Sequence, residues 1–531
     1  MSIRLVRGPA AMELLADAEF QRCWDELRSR CPWATVFQSP AFVAAWYRVY
    51  QTRFEAVLLL ERDASDGLLG LLPLAVANDA TSRDGWVVAG AQQAEYQAWL
   101  ADTEAAPDFI EEALGRLWQQ SRPRRLTFRY LPAGAPIDWV GGGRFAALGQ
   151  IEAFPCPLME LGDGTNAARS LAKRGNRSRL KRLARNGPLS YERITEPAAF
   201  RAILDDFAAD CDFRHGAAHG RLPFHDDPQK RDFLLALFEQ PGLLDVTVTR
   251  SGDTMLGAHV GLRDPDRMYN GMLVHSPLEA RNSPGKLHVL QLAQDLARRG
   301  CRVFDLTPGN DPWKERFANR HETVHTLTLH GSAAACAAHR GGRALWGLGR
   351  ETLRALGAEP RSVKQALLAR LLTREPLPAA AHVIASAALA DLRPAVLGAR
   401  PRADGVTRNA VADLLLHAAD CQRPRTAFLS DSLARLERGG ACYSLVKDGR
   451  LVHLLWLTPG LGGAELAIEE TVHLRDSLAP DERRGVLCHA IAEAVAVGPG
   501  SGRLVFKAPG ATADDVAALR VLGFTASRPG A

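Results

Sequence analysis

The sequence contains no C-x-x-C pair, no G-x-S-x-G elbow and no uncharged apolar run long enough to cross a membrane. Each absence removes a class of function. The nine cysteines (Cys23, Cys31, Cys156, Cys211, Cys301, Cys336, Cys421, Cys442, Cys488) are scattered and odd in number, which argues for a reducing compartment without a structural zinc site. Without the elbow there is no serine nucleophile of the α/β-hydrolase type. The most apolar late stretch, LPAAAHVIASAALADLRPAVLGA, is broken by His382, Asp391, Arg393 and Pro394, so no membrane span is expected. The N-terminal stretch MSIRLVRGPAAMELLADAEF lacks the continuous apolar core of a signal peptide, and a cytoplasmic location is expected. The 65 basic and 60 acidic residues leave a formal charge of only +5. A nucleic-acid partner would therefore need a local patch, because the global field is weak.

What is present is the balance of a globular chain of two to four domains, 531 residues with 47% hydrophobic and 24% charged. In the first block, a helix around Glu19 to Arg30 and the aromatic helix AFVAAWYRVY precede two apolar runs, FEAVLLLER and GLLGLLPLAVA. The charged turn DASDG between those runs predicts a hairpin. The helix PDFIEEALGRLWQQS and the strand RRLTFRYL follow. From about Met159 the pattern restarts with a basic helix, helices near Phe200 to Cys211 and Gln229 to Glu239, and three strands joined by RSGD and RDPD. A helix from Lys286 to Arg299 and the strand CRVFDL close this block. A weaker third copy runs through GGACYSLVKDGRLVHLLWL, AELAIEETVHLRD, a helix and GRLVFKA. The expected division is 1–158, 159–330, a helical connector without strands at 331–404, and 405–531.

Two stretches suggest anion binding. Ser283, Pro284, Gly285, Lys286 and Leu287 form a loop between an apolar strand and a helix, where the first helical amides have no intrahelical partner. The alternative is that Pro284 and Gly285 simply start the helix. Between Arg169 and Arg185 eight of seventeen residues are Lys or Arg and none is acidic. Read as one helix, it places Arg169, Lys173 and Arg177 on one face, with Leu180 and Leu183 on the buried side. Lys173, Arg177 and Lys181 are the candidate phosphate-binding cations, and a solvated face is the alternative. For chemistry, proton transfer needs a titratable acceptor and a developing oxyanion needs donors. His259 in GAHVG, Tyr269 in RMYNG, His275 and Asp305 in VFDL are suited to this. A core histidine and a carboxylate ordering the Thr307 to Asn310 turn are the alternatives for His259 and Asp305. Lys314 and Arg316 are candidates to neutralise phosphate or to pair on the surface. The cluster Asp212, Arg214, His215 and His219 lacks a third ligand, so no metal is expected.

The order of strands, basic Gly loop, helix and final strand resembles the GCN5-related N-acetyltransferase (GNAT) superfamily. The segment NSPGKLHVLQLAQDLARRGCRVFDLTPGNDPWKERF, with VFQSPAFVAAWYRVY and RSLAKRGNRSRLKRLARNG, is similar to its CelD-like and FemAB-like branch, found in bacterial exopolysaccharide and cell-wall pathways. ERRGVLCHAI looks like an acyl-CoA loop in which Arg-Gly precedes the helix. The resemblance implies an α/β (α+β) protein of tandem GNAT-like units, mixed sheets flanked by helices, with the second unit active. It implies acetyl-CoA or another acyl-CoA as co-substrate, with no tightly bound cofactor, held by Ser283, Gly285, Lys286 and Leu287 or by Arg484 and Gly485. The expected reaction moves an acyl group to an amine or hydroxyl of a sugar or cell-envelope precursor. Asn282 and Leu287 depart from the family's loop pattern, which keeps an aminoacyl-tRNA-dependent FemAB-type ligase open. A non-catalytic scaffold in exopolysaccharide assembly is the third reading.

Overall fold

The computed structural model describes residues 3–79, 85–102, 106–343, 382–392, 405–417, 424–459, 465–474, 477–497, 502–508 and 513–526. Among the described residues the strands form three sheets flanked by helices, the first antiparallel throughout and the other two mixed, each with one parallel pair. The first sheet contains β1 (Arg4–Arg7), β2 (Phe54–Arg62), β3 (Leu68–Ala77) and β4 (Trp86–Val88) in that order, with β5 (Leu100–Ala101) also beside β3. Its helices are α1 (Pro9–Ala16), α2 (Ala18–Arg30), α3 (Pro40–Tyr50) and α4 (Ala106–Ser121). Local chemistry sets their ends. Asp17 accepts from the Glu19 amide to start α2, and Ser39 accepts from Phe42 ahead of Pro40 to start α3. Asp63 takes the amides of Ser65 and Gly67, which closes the expected hairpin.

The second sheet is the largest. It orders β6 (Arg125–Leu131), β13 (Arg320–His330), β7 (Gly149–Glu160), β12 (Val303–Asp305), β11 (Arg267–His275), β10 (Thr254–Arg263), β9 (Leu244–Ser251) and β8 (Leu189–Ile194). One face packs on α7 (Pro197–His219) and α8 (Lys230–Phe238), and the other on α9 (Pro284–Arg298), while the short α10 (Pro312–Glu315) follows β12. The final strand of the first block, β6, joins this sheet, and one apolar core runs through both blocks. Asp264 also ties them together, accepting from Arg28, from the Val36 amide and from Tyr269.

The third sheet orders β15 (Val406–Arg408), β16 (Ala441–Lys447), β17 (Arg450–Pro459), β18 (Glu465–His473), β19 (Arg503–Ala508), β14 (His382–Ala388) and β20 (Thr525–Ala526). It is flanked by α11 (Val411–Leu415), α12 (Arg425–Glu437), α13 (Pro480–Val497) and α14 (Ala513–Val521). β14 corrects the expected connector: His382 to Ala388 is a strand paired with β19. Its alanines and serine were averaged into a helix-like composition, although the sheet accepts such small residues between two neighbouring strands. Residues 344–381 and 393–404 of that stretch lie outside the described residues.

The basic stretch is also corrected. It is two helices, α5 (Thr165–Ala172) and α6 (Arg174–Leu183), divided at Lys173, whose ψ of 138° is extended. The buried Asn176 donates its side-chain amide to the Ser170 carbonyl, competing with a continuous ladder. The break also takes Arg169, Lys173 and Arg177 out of a single like-charged row.

The helix α7 is buried on two sides. Phe200, Leu204 and Phe207 face the second sheet, while Phe213 and Ala217 join a separate core with Leu429, Leu436 and Trp456 of the third block. Gly216 permits this approach, since a Cβ there would lie 2.6 Å from Leu429 Cδ1. Leu429→Ala is expected to lower stability by about 2–5 kcal/mol through the cavity it leaves. Urea unfolding, with hydrogen exchange followed on α7 and α12, measures the loss and tests whether docking of the third block depends on this contact.

Candidate active site

The β10–β11 hairpin contains a bulge that determines what can approach the sheet. Val260 pairs with Met272 and Gly261 with Asn270, leaving Gly271 as the extra residue. Glycine is required at both positions. A Cβ on Gly271 would lie 2.6 Å from the Val260 carbonyl oxygen, and one on Gly261 would lie 2.5 Å from that of Tyr269. Next to the bulge, β11 pairs in parallel with β12 over only three residues, Arg267 to Tyr269 against Val303 to Asp305. β11 then continues alone to His275, and the two strands fork.

The fork is held open by the turn after β12. Thr307 has φ +66°, an unfavourable conformation for a β-branched residue. Its amide donates to Asp305 Oδ1, and Lys314 Nζ donates to the Thr307 carbonyl, the Thr307 hydroxyl and the Pro308 carbonyl. The buried Asp305 also accepts from Tyr96 (2.8 Å) and from Arg267 (3.1 and 2.8 Å). Asp305 therefore orders the turn, as one of its two expected readings had it. Lys314 is buried and gives its three protons to the loop, which leaves none for a phosphate in this arrangement.

On the α9 side of the fork lies a buried polar layer. His288 of α9 is bonded to Thr247 through Nε2 (3.1 Å) and to Thr249 through Nδ1 (2.8 Å). His259 is fully buried against the Asn270 side chain, with which it makes at best a poorly aligned hydrogen bond. Burial pushes His259 down to about 4 and His288 down to about 3. Both are neutral at pH 7. His275, pushed down to about 3 by burial and then by the Arg214 charge, lies under the first turn of α9, where a Cβ on Gly285 would be 2.8 Å from its Nδ1. Gly285 thus serves close packing here, whatever else it does. Leu287 is buried with Leu183 and Leu256, so its bulk points into the core. Lys286 is exposed. The first turn of α9 contains no acidic residue, and Arg182 of α6 reaches its entry through Asn282 (2.7 Å).

Tyr269 is placed differently from His259. Its hydroxyl donates to Asp264, and its ring packs between Phe37 and Tyr96 at the junction of the first two blocks. His215 and His219 lie with ring centroids 5.8 Å apart and tilted by 55°, and among the described residues no group of side chains suits a metal. Sequence reasoning missed Tyr96, Arg267 and Asn270. Tyr96 lies in a segment without periodicity, whereas the strand glycines of GAHVG and YNG were a usable sign of a bulge.

A second fork occurs in the third sheet. There β18 and β19 pair from Glu465 to Glu469, and Thr471 is the bulge residue. The buried Glu470 binds His453 (2.7 Å) and, through both oxygens, Arg483 (3.0 and 2.8 Å). These partners hold its carboxyl far below the usual range despite burial. Arg484 and Gly485, expected just ahead of a helix, lie inside α13, which begins at Pro480 because Glu482 caps the Ala479 amide. Arg484 pairs with Asp481 on the surface. The first turn of α13 contains Asp481 and Glu482, which repel an anion from that helix end.

The segment around the first fork has a family. Residues 171–315 match the acetyltransferase (GNAT) domain. That match runs from α6 through the turn after β12, well under half of the chain, and supports acyl transfer in general for this GNAT segment. Similar solved structures include FemX (10% identity, 58% of this chain and 95% of that one, TM-score 0.39) and L-PGS from Bacillus licheniformis (11%, 60% and 92%, 0.38). A tandem GNAT protein from the clavulanic acid biosynthesis pathway is similar at 13% identity, covering 62% of this chain and 99% of that one, with a TM-score of 0.38. No curated protein matches the chain. No helix among the described residues is long and apolar enough to cross a membrane.

The buried histidines give the GNAT segment a signed pH dependence. Each binds fewer protons folded than unfolded, so its contribution is complete above the unfolded value near 6.5 and is lost as pH falls toward 4. The expected slope is about 1.4 kcal/mol per pH unit per histidine. Asp210, raised to about 6 by burial, offsets part of this between about 6 and 4. His288→Gln, which can keep hydrogen bonds to the threonines, should flatten the curve measured by urea unfolding from pH 7 to 4. Asp305→Asn should cost about 3 kcal/mol at pH 7, the low end for a broken buried pair because Arg267 is 26% exposed.

Proposed function

We propose that the GNAT segment is an acyltransferase whose acyl-CoA donor runs from the first turn of α9 into the fork between β11 and β12. The acceptor is an amine or hydroxyl of a polysaccharide or cell-envelope precursor. The observation carrying this reading is the position of the fork beside a helix N-terminus free of acidic residues. The Gly285 and Lys286 amides have no intrahelical partner, and the helix dipole favours an anion there. Lys286, with Lys173, Arg177 and Lys181 of the neighbouring basic stretch, would neutralise the donor phosphates. Ser283, at φ +52°, turns the chain into α9, and Leu287 anchors it from below. Arg484 and Gly485 of α13 are less suited, because Asp481 and Glu482 share their helix end.

In the transfer, the acceptor nitrogen or oxygen attacks the thioester carbonyl, the C–S bond breaks, and the thiol leaves with a proton. His259, pushed down to about 4 by burial, is neutral but a weak base, so in this reading it takes the acceptor's proton only once attack on the carbonyl has made that proton acidic. The bulge at Gly271 frees backbone groups at the point where an oxyanion would form. Asp305 and Tyr269 act by position, the first through the Thr307 turn and the second through the junction between blocks.

Acetyl-CoA should raise the melting temperature of the full chain and protect Ser283 to His288 from hydrogen exchange, leaving Pro480 to Gly485 unchanged. Protection only at α13 would move the donor to the third block. Stabilisation by aminoacyl-tRNA alone would favour the ligase, and by neither the scaffold. His259→Gln is expected to lower kcat by about 10²- to 10⁴-fold while donor affinity stays constant. Unchanged turnover in that variant removes His259 from the reaction.

A further inference from the structure

The basic ridge carries more charge than a small anionic donor needs. All eight cations between Arg169 and Arg185 are exposed except Arg179, which is half-buried. Among the described residues none of them pairs with a carboxylate. Their hydrogen bonds go to neutral partners, Arg179 to Asn176 and Arg182 to Ser178 and Asn282. Some surface arginines elsewhere are paired, Arg22 between Glu19 and Glu26 and Arg320 between Glu160 and Glu322, and it is the density of unpaired cations that sets the ridge apart. Removing these eight charges from the net +5 would leave the chain at −3. The ridge alone therefore holds more positive charge than the net excess of the whole chain.

The shape of the ridge narrows its partner. α5 and α6 meet at an angle at Lys173, giving an outward-facing corner of two short helices. No aromatic residue lies between Thr165 and Gly187, so stacked bases have no platform. Leu278, 36% exposed, sits on the adjoining loop, which is fastened to the ridge by Glu279 bonded to Asn186 (3.1 Å) and Asn282 (2.7 Å). Asp163 also borders the ridge and is occupied by the Thr165 amide. An apolar side chain beside unpaired cations suits the boundary between lipid headgroups and acyl chains.

We infer that the α5–α6 ridge, with Leu278 beside it, docks the protein on an anionic phospholipid surface. The inference stands on the ridge itself and does not require that the fork binds acyl-CoA. The attraction is electrostatic and reversible, because it falls off within a Debye length of about 8 Å at physiological salt. Each cation near such a surface contributes separately, so removing three of them is expected to weaken binding on the order of a hundredfold.

The test is co-sedimentation of the full chain with vesicles of phosphatidylcholine alone or mixed with phosphatidylglycerol. Binding is expected only to the mixed vesicles and is expected to disappear as salt rises. Arg174→Gln with Arg177→Gln and Arg185→Gln should weaken it on the order of a hundredfold, and Leu278→Ser several-fold. Arg22→Gln with Arg320→Gln, which removes paired cations, should leave it unchanged. Circular dichroism melting checks that each variant is folded, and the salt titration of the unaltered chain decides the matter if one is not. Equal binding to both vesicle types, binding to neither, or salt-resistant binding overturns the inference. Tighter binding to double-stranded RNA than to anionic vesicles at the same salt overturns it in favour of a nucleic-acid partner.

Discussion

The geometry of the first fork depends on a single buried carboxylate. Asp305 is fully buried and is bonded at once to Tyr96 of the first block, Arg267 of β11 and the amide of Thr307. A buried charge is tolerable only when such partners compensate its desolvation. Once they do, the arrangement becomes rigid, because moving any one element strands the charge. β12 can then end after three residues and turn away through the left-handed Thr307, which an ordinary loop would not sustain. The cost of that strained residue is met by the Asp305 acceptor and by three hydrogen bonds from Lys314. The fork is thus a consequence of electrostatics satisfied below it, and the first block is needed because it supplies Tyr96.

The two forks share a plan and differ in charge. In each, a fully buried histidine, His259 or His453, lies two residues before the strand position opposite the bulge. In the second sheet its neighbour is the neutral Asn270. In the third it is Glu470, already engaged by His453 and doubly by Arg483. An ionised carboxylate held by a guanidinium occupies the fork of the third sheet, whereas the His259–Asn270 pair at the first fork is uncharged. The helix ends differ in the same direction, with Asp481 and Glu482 at α13 and no acid at the start of α9. Equivalent backbones therefore offer an anionic ligand two unequal sites.

The sequence made the backbone plan legible where local chemistry dictates it. Asp63 to Gly67 closes the first hairpin, Pro40 and Pro284 start helices, and apolar runs flanking turns mark β2, β3 and β17. The expected mixed sheets flanked by helices are what the chain forms. β14 was hidden because alanine-rich composition does not distinguish a helix from a central strand of small residues, and only pairing with β19 decides it. The break at Lys173 was hidden because charge periodicity ignores what Asn176 does to Ser170. At the site, His259 was visible through its flanking glycines. Tyr96 and Arg267 were not, since their role exists only when residues 209 and 38 positions apart in the chain meet at Asp305.

The polar layer beneath α9 gives the fork its other boundary. Apolar helix–sheet packing tolerates sliding, because one methyl group substitutes for another at little cost. His288 does not allow this: each ring nitrogen meets a different threonine on β9, and a shift along α9 would leave buried polar atoms unpaired. Gly285 against His275 fixes the same helix at its other end. The start of α9 is consequently held at a defined height above β11, close to the fork. These histidines can do so without adding charge, because burial keeps them neutral well below pH 7. The local field at that helix end is then governed by its own dipole, Lys286 and Arg182, against the one carboxylate of Glu279, which Asn186 and Asn282 already engage. A site built this way favours anions because dipole and cations outweigh that single engaged carboxylate, a property that no single residue in it reveals.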